Sequence, residues 1–413
     1  MILKEVRNMN VKQRFLEYVA FDTMSEEASA TTPSSLKQLK LANYLVEECK
    51  KIGLQNPHVD EYGIVYANLS ANVEGLPSIG FIAHMDTSPD MSGKDIKPRV
   101  IEKYDGSAII LNKELGIFMD TEMFESLKEH IGKTLIVTDG TTLLGADDKA
   151  GIAEIMTMAE TLISKNIPHG NICIAFTPDE EVGRGTDHFN IEKFGADFAY
   201  TVDGGEVNSV DYECFNAASA MVHIQGASIH PGSAKGKMRN ASLIAMEFHS
   251  LLPVFMNPAY TEGYEGFNHL TDMQGECEQA TLSYIIRNHD EACFEKQKQD
   301  FYHARDYLNQ KYPKDTVQVD ITDSYGNMRM LIEKDMRIVD LVKNSMREIG
   351  LEPTSQAIRG GTDGARLTFE GLPCPNLGTG GYNFHGKYEY ACVEEMETSV
   401  RLLLKIVENS TKL

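Results

Sequence analysis

The stretch SIGFIAHMDTSP, Ser78 to Pro89, drives an apolar run straight into a histidine and, two residues on, an aspartate. Ile79, Phe81, Ile82 and Ala83 suit a strand buried on both faces, the strand type of a parallel sheet. In open α/β sheets ligands gather just beyond the carboxyl ends of such strands, which is where His84 and Asp86 fall. The arrangement recurs. The apolar run Ile172 to Phe176 in NICIAFTPDEEVG ends on Asp179, Glu180 and Glu181, and FAYTVDGGE ends on Asp203. Between them, TTLLGADDKAGIAEIMTMAETLIS spaces Ile152, Ile155, Met156, Ala159 and Ile163 as one face of a helix, with GADDK at its start. Strands alternating with helices predict a doubly wound, largely parallel α/β sheet. Such a sheet brings these acidic and histidine-bearing ends together. A lone HxD is ordinarily a histidine held by a neighbouring carboxylate, so distant partners decide its meaning.

A chain of 413 residues exceeds what one hydrophobic core usually serves, and 42% apolar residues can fill two. Two patterns divide it. Gly63 to Leu69 and Thr134 to Thr138 read as further strands, and helical spacing marks Val11 to Val19, Leu36 to Val46, Ile338 to Ile349 and Met396 to Val407. The turn-rich SEEASATTPSS separates the first two helices and is a candidate for a use of its own. From about Glu213 to Asp323 strand-like Ala220 to Ile224, His269 to Met273, Ala280 to Ile286 and Thr316 to Ile321 interleave with helix-like Asn240 to Leu252 and Glu291 to Tyr312. That order, β-α-β-β-α-β, predicts a ferredoxin-like α+β unit. The expected division is an inserted lid of residues 212–324 within a discontinuous catalytic domain of residues 1–211 and 325–413.

Lys and Arg total 39 against 61 Asp and Glu, for a formal charge of −22, and no basic run is available to neutralise phosphates. Nucleic acid and anionic membrane are therefore excluded as expected partners, whereas clustered carboxylates suit cations. MILKEVRNMNVKQRF lacks the apolar stretch of a signal peptide, and nowhere do roughly 18 uncharged apolar residues run together. A cytosolic protein is expected. The seven cysteines are dispersed without a CxxC pair and read as reduced packing residues.

A dinuclear hydrolytic centre, with ions about 3.5 to 4 Å apart, needs a bridging carboxylate and capping His and Asp/Glu ligands. His84, Asp147 in GADDK, Glu181, Asp203 and His385 in GTGGYNFHG supply that set. Imidazole and carboxylate without thiolate suit zinc, with cobalt or manganese as substitutes. Asp86 is then the group that accepts the other ring proton of His84 and fixes its tautomer. Of the adjacent pair after the strand, Glu181 is expected to ligate and Glu180 to face the attacking water as general base.

The words GFIAHMDTSPD, TTLLGADDKAGIAEIM, AFTPDEEVG, YTVDGG, HPGSAKG, TEGYEGF, IRGGTDGA and LPCPNLGTGGYNFHGKYEY run through nearly the whole chain. In these the sequence resembles the peptidase T family, cytosolic tripeptide aminopeptidases of the di-zinc aminoacylase/carboxypeptidase superfamily. The resemblance implies two zinc ions, with His84 and Asp203 on one, Glu181 and His385 on the other, Asp147 bridging and Glu180 as base. It also implies a zinc-aminopeptidase-like catalytic domain formed from both ends of the chain and a homodimer through the inserted lid. His230 in ASIHPGSAKG resembles the family's lid histidine, which in related enzymes reaches an active site across the dimer.

Arg287 in SYIIRN and Arg359 in AIRGGTDG are candidates for a bidentate grip on a peptide carboxylate, and Asn383 for the pocket. The glycines of RGGTDG and GTGG lack the lysine spacing of a phosphate loop and read as tight turns. Release of the N-terminal residue from tripeptides is the expected reaction. The ligand set alone also fits a dipeptidase, aminoacylase or carboxypeptidase, or a catalytically silent binding protein that keeps the fold.

Overall fold

Every residue of Ile79–His84 and of Ile172–Thr177 is buried, which explains why both segments are apolar without alternation. In a computed structural model, which describes residues 9–412, they are neighbours in a seven-stranded sheet. Residues 1–8 of the N-terminal stretch read above lie outside the described residues. The strand order is Gln55–Val59, Val65–Leu69, Ile172–Thr177, Ile79–His84, Phe198–Gly204, Asn376–Gly378, Val210–Asp211. Its middle four strands run parallel, and antiparallel strands close both edges.

Helices cover both faces. Ala146–Lys165 packs on Ile79–His84 and Phe198–Gly204, with Val11–Tyr18 and Val393–Ser410 against it. On the opposite face Ile82, Cys173, Ala175 and Ala199 meet Phe189, Phe194, Leu367 and Leu372, which the short helices Ile191–Phe194 and Asp363–Phe369 and the turns beside them supply. The sheet is thus doubly wound, with its parallel centre where the apolar runs predict it. Arg14 is 1% exposed and pins the first helix to its neighbours, its Nε 2.7 Å from Glu48 Oε1 and its Nη2 2.6 Å from Glu160 Oε2.

One strand sits elsewhere than the alternation suggests. Leu135–Val137 belongs to a separate sheet ordered Gly381–Tyr382, Tyr390–Cys392, Leu135–Val137, Arg99–Ile101. It pairs antiparallel with Tyr390–Cys392, which ties the chain before Asp147 to the chain after His385.

The chain divides into two compact units, Met1–Tyr212 with Leu331–Gln356 and Thr362–Leu413, and Glu213–Met330 with Ala357–Gly361. The short return of Ala357–Gly361 to the second unit follows from a parallel pairing of Ala357–Ile358 with Glu213–Cys214. Two residues of strand carry no sequence signal, and the expected boundaries miss them. Within the second unit Asn216–Gln225, Ala241–Leu251, Phe267–Gly275, Gln279–Asn288, Glu291–Lys311 and Val317–Tyr325 follow the β-α-β-β-α-β order. Numbered along the chain, its four strands lie 2-3-1-4, all antiparallel, which is the ferredoxin-like topology. Its helices cover one face of that sheet, where Ile244, Phe248, Phe301 and Leu308 pack on Val222, Leu282 and Tyr284. Among the described residues no helix is long and apolar enough to cross a membrane.

Candidate metal centre

His84 is the last residue of its strand and only 2% exposed, so its imidazole emerges among the carboxyl ends of the parallel strands. Its Nε2 lies 2.8 Å from Asp147 Oδ1 and 3.4 Å from Asp203 Oδ1. The other oxygen of Asp147, Oδ2, lies 3.1 Å from His385 Nε2, which is in turn 2.9 Å from Glu181 Oε2. His84, Asp147 and Asp203 form one group and Asp147, Glu181 and His385 another, with donor atoms of each group within 4.8 Å of one another. All five residues expected to bind metal come together, and Asp147 presents one oxygen to each group.

Local backbone explains this placement. Asp147 (φ −82, ψ 105) and Asp148 (φ −123, ψ 37) are not helical, so the regular helix begins only after GADD and the carboxylate projects from a bend. Leu144, Gly145 and Asp147 donate their backbone N–H groups to the carboxylate of Glu389, at 2.6, 2.8 and 3.1 Å. Glu389 is 1% exposed and stands four residues after His385, so one buried side chain ties the Asp147 bend to the His385 loop. In that loop His385 (φ 62) and Asn383 (φ 55) take left-handed conformations, and the Asn383 amide donates to the Tyr388 carbonyl at 3.2 Å. Asn383 therefore shapes the loop that carries His385.

Asp86 does more than the sequence predicts. His84 Nδ1 is nearer the Asp86 backbone carbonyl, at 3.1 Å, than its Oδ1, at 3.3 Å, so the peptide shares in orienting the ring. The Asp86 carboxylate, fully buried, accepts the N–H groups of Glu180 at 3.0 Å and Glu181 at 3.2 Å. It thereby holds the turn Glu180–Val182, with Glu181 directed at His385 and the half-buried Glu180 outside both groups. Asp148 accepts the His84 N–H at 3.2 Å, and Asp363 accepts the Thr177 hydroxyl at 2.7 Å. Glu389, Asp148 and Asp363 were not expected as parts of this site.

The remaining candidates belong to the second unit. The exposed His230 accepts the Gly232 N–H on Nδ1 at 3.2 Å. Arg287 Nη1 donates to the carbonyls of Ala218 and Ile286, with its guanidinium 5.5 Å from the Tyr325 ring centroid. Arg359 braces the loop Thr261 to Glu265 through both terminal nitrogens.

Crowded carboxylates and imidazoles demand intervening positive charge. Desolvation, then Asp147, pushes Glu181 up to about 7, and desolvation raises Asp203 to about 6. Hydrogen bonds to Asp147 and Glu181 raise His385 to about 11. Burial opposes charge on His84, yet Asp203, Asp147 and Asp86 outweigh it and its net shift is well upward. Asp147 likewise ends below the ordinary carboxylate range: desolvation would raise it, but His385 and His84 prevail. Desolvation lifts Glu180 well above its usual value. Both imidazoles are shifted upward by the carboxylates around them, an environment that favours cations. Glu181 Oε1 is buried without a hydrogen-bond partner, an oxygen ready for a metal ion. The donor set, two imidazoles and three carboxylates without thiolate, fits zinc or a similar divalent ion. A third group, His130, Cys392 and Glu395, is already satisfied, because Lys133 Nζ and the Tyr382 hydroxyl each sit 2.7 Å from the Glu395 carboxylate.

The model of peptidase family M20/M25/M40 matches residues 137–409, and the chain belongs to that family. It is 56% identical over 400 residues to a peptidase T of Caldanaerobacter subterraneus subsp. tengcongensis, covering 96% of this chain and 98% of the relative. A peptidase T of Clostridium acetobutylicum is 53% identical over 401 residues, again 96% of this chain and 98% of the other. Among solved structures, the aminopeptidase PepT of Bacillus cereus superposes with a TM-score of 0.77 at 24% identity, covering 98% of this chain and 99% of that one. A tripeptidase from Staphylococcus aureus gives 0.78 at 22% identity with the same coverage. These two likenesses support the fold. Family membership and the two donor groups together support metal dependence.

Proposed function

We propose that the chain is an aminopeptidase that removes the N-terminal residue from tripeptides at a dinuclear zinc centre. The observation that carries this reading is Asp147, whose two oxygens face two separate groups of ligands. His84 and Asp203 would hold one ion, Glu181 and His385 the other, and Asp147 both. Bound there, the ions supply Lewis acidity, polarising the scissile carbonyl and lowering the pKa of a water. Glu180 accepts a proton from the attacking water on its carboxylate and returns it to the leaving amine. Asp86 fixes the His84 ring and the two amides that set the direction of Glu180 and Glu181. Peptide specificity, rather than acylamino-acid hydrolysis, is supported by relatives named peptidase T at more than half identity over nearly the whole chain.

Purified protein loaded with zinc is expected to release the first residue of a defined tripeptide and to lose that activity to a chelator. Mass spectrometry of the products checks the bond, and metal analysis the ion and its count. Unchanged tripeptide in added zinc would exclude the aminopeptidase reading. Arg287 is proposed to grip the substrate carboxylate, with Arg359 a weaker second because its terminal nitrogens brace a loop. The C-terminal amide of the same tripeptide should then be cleaved less efficiently, and equal efficiency removes that role.

The division into a catalytic domain of residues 1–211 and 325–413 and a lid of 212–324 carries a further proposal, a homodimer through the lid. Its helix Ala241–Leu251 leaves Leu243 62% and Met246 58% exposed, apolar surface that a second copy would cover. Light scattering is expected to give a dimer mass, and Leu243→Lys with Met246→Lys a monomer. A wild-type monomer at working concentration would rule this out.

A further inference from the structure

The turn-rich segment between the first two helices has no part in the reaction as derived so far, yet it is tied to both turns that carry the site. At one end Ser25 donates its N–H to the Thr87 carbonyl at 3.1 Å, and Thr87 returns its own to Thr23 at 3.4 Å, next to Asp86. In the middle the Arg184 guanidinium donates to the carbonyls of Ser29, at 2.7 Å, and Glu26, at 3.3 Å. At the other end the segment grips Asp179, the residue before Glu180. The Asp179 carboxylate accepts the Ser34 N–H at 2.6 Å, the Ser34 hydroxyl, and the Gln38 amide at 2.7 Å. Gln38 Oε1 accepts the Asp179 N–H at 3.2 Å. Asp179 and Gln38 are fully buried.

We propose that residues 23–38 form a strap that positions the general base, acting through Asp179. Asp179 occupies the left-handed region, φ 57 and ψ 22, and directs the chain out of the Ile172–Thr177 strand into the turn of Glu180. Few non-glycine residues adopt that conformation unaided, and a buried carboxylate tolerates it when several donors satisfy its charge. Among the described residues the strap supplies every side-chain bond to Asp179, while Asp86 holds the Glu180 and Glu181 amides from the other side. Glu180 is thereby fixed at the residue before it and at its own N–H. Losing the Gln38 amide removes one donor to the Asp179 carboxylate and the acceptor of its N–H, leaving only Ser34 to hold the residue, and a peptide rotation there swings the Glu180 carboxylate away from the water. Asp179, Ser34 and Gln38 are positioning residues, and their role rests on the reading of Glu180 as base.

The test measures kcat, KM, metal content and thermal midpoint of the full chain for Gln38→Ala and Ser34→Ala, each alone and combined with Glu180→Ala. Misplacing a catalytic group by about 1 Å costs on the order of 10²-fold in rate, which is the expected fall in kcat for Gln38→Ala. Ser34→Ala keeps the backbone donor and should lose less. KM is expected to stay within about twofold and metal content unchanged, because neither residue contacts the ligand groups. In the Glu180→Ala background both substitutions should cost nothing further, since the group they position is gone. Equal losses in the two backgrounds, or full kcat for both single variants, overturn the strap proposal while leaving the base assigned. Full turnover by Glu180→Ala alone overturns the base assignment and the proposal with it.

Discussion

Glu180→Ala is expected to lower tripeptide turnover by about 10²- to 10⁴-fold, the usual contribution of a positioned general base, with metal content unchanged. The split between rate and metal follows from the geometry. Glu180 belongs to neither donor group, whereas its neighbour Glu181 places Oε2 2.9 Å from His385 Nε2. The N–H groups of both residues end on Asp86, so removing the Glu180 side chain leaves the turn and the Glu181 ligand in place. Stopped assays with a defined tripeptide, alongside elemental analysis of dialysed protein, measure the two quantities together. Normal turnover with full metal would mean that another group takes the proton.

Much of this site was legible because several of its candidate ligands lie at or just beyond strand ends. A fully buried parallel strand must be apolar, so the point where His84, Glu181 or Asp203 interrupts the run is visible without coordinates. His385 has no such strand. It sits in a loop of left-handed residues and was found through its glycine-rich surroundings and the family resemblance. The supporting carboxylates were silent for a different reason. Glu389 and Asp179 bind backbone or amide donors from segments 245 and 145 residues away, and in sequence each looks like an ordinary surface acid. The Leu135–Val137 strand was legible as a strand but its sheet was not, because three apolar residues do not reveal which sheet accepts them. Its partner, Tyr390–Cys392, lies far along the chain, and only the pairing shows that this side sheet holds the Asp147 and His385 segments side by side.

Asp147→Ala should abolish turnover for the opposite reason, by loss of metal from both positions. Its two oxygens are divided, Oδ1 toward His84 at 2.8 Å and Oδ2 toward His385 at 3.1 Å, so truncation removes one ligand from each group at once. Removing even a partner that merely orients a ligand typically weakens metal binding about 10- to 100-fold, and a shared ligand should cost more at each position. His385→Ala is the contrast, because it touches one group only and should spare the His84 and Asp203 position. Titration with zinc followed by calorimetry is expected to show two weakened sites in the first variant and one in the second. The fold should survive. Desolvation and then repulsion from Asp147 raise Glu181 and Asp203, whereas His385 and His84 hold Asp147 itself below the ordinary carboxylate range, so deleting its charge removes repulsions and attractions that offset one another. The metal-free thermal midpoint of Asp147→Ala should therefore stay within a few degrees of the metal-free parent. A variant that kept both ions would show that Asp147 is no bridge, and the two groups would then have to act as independent sites.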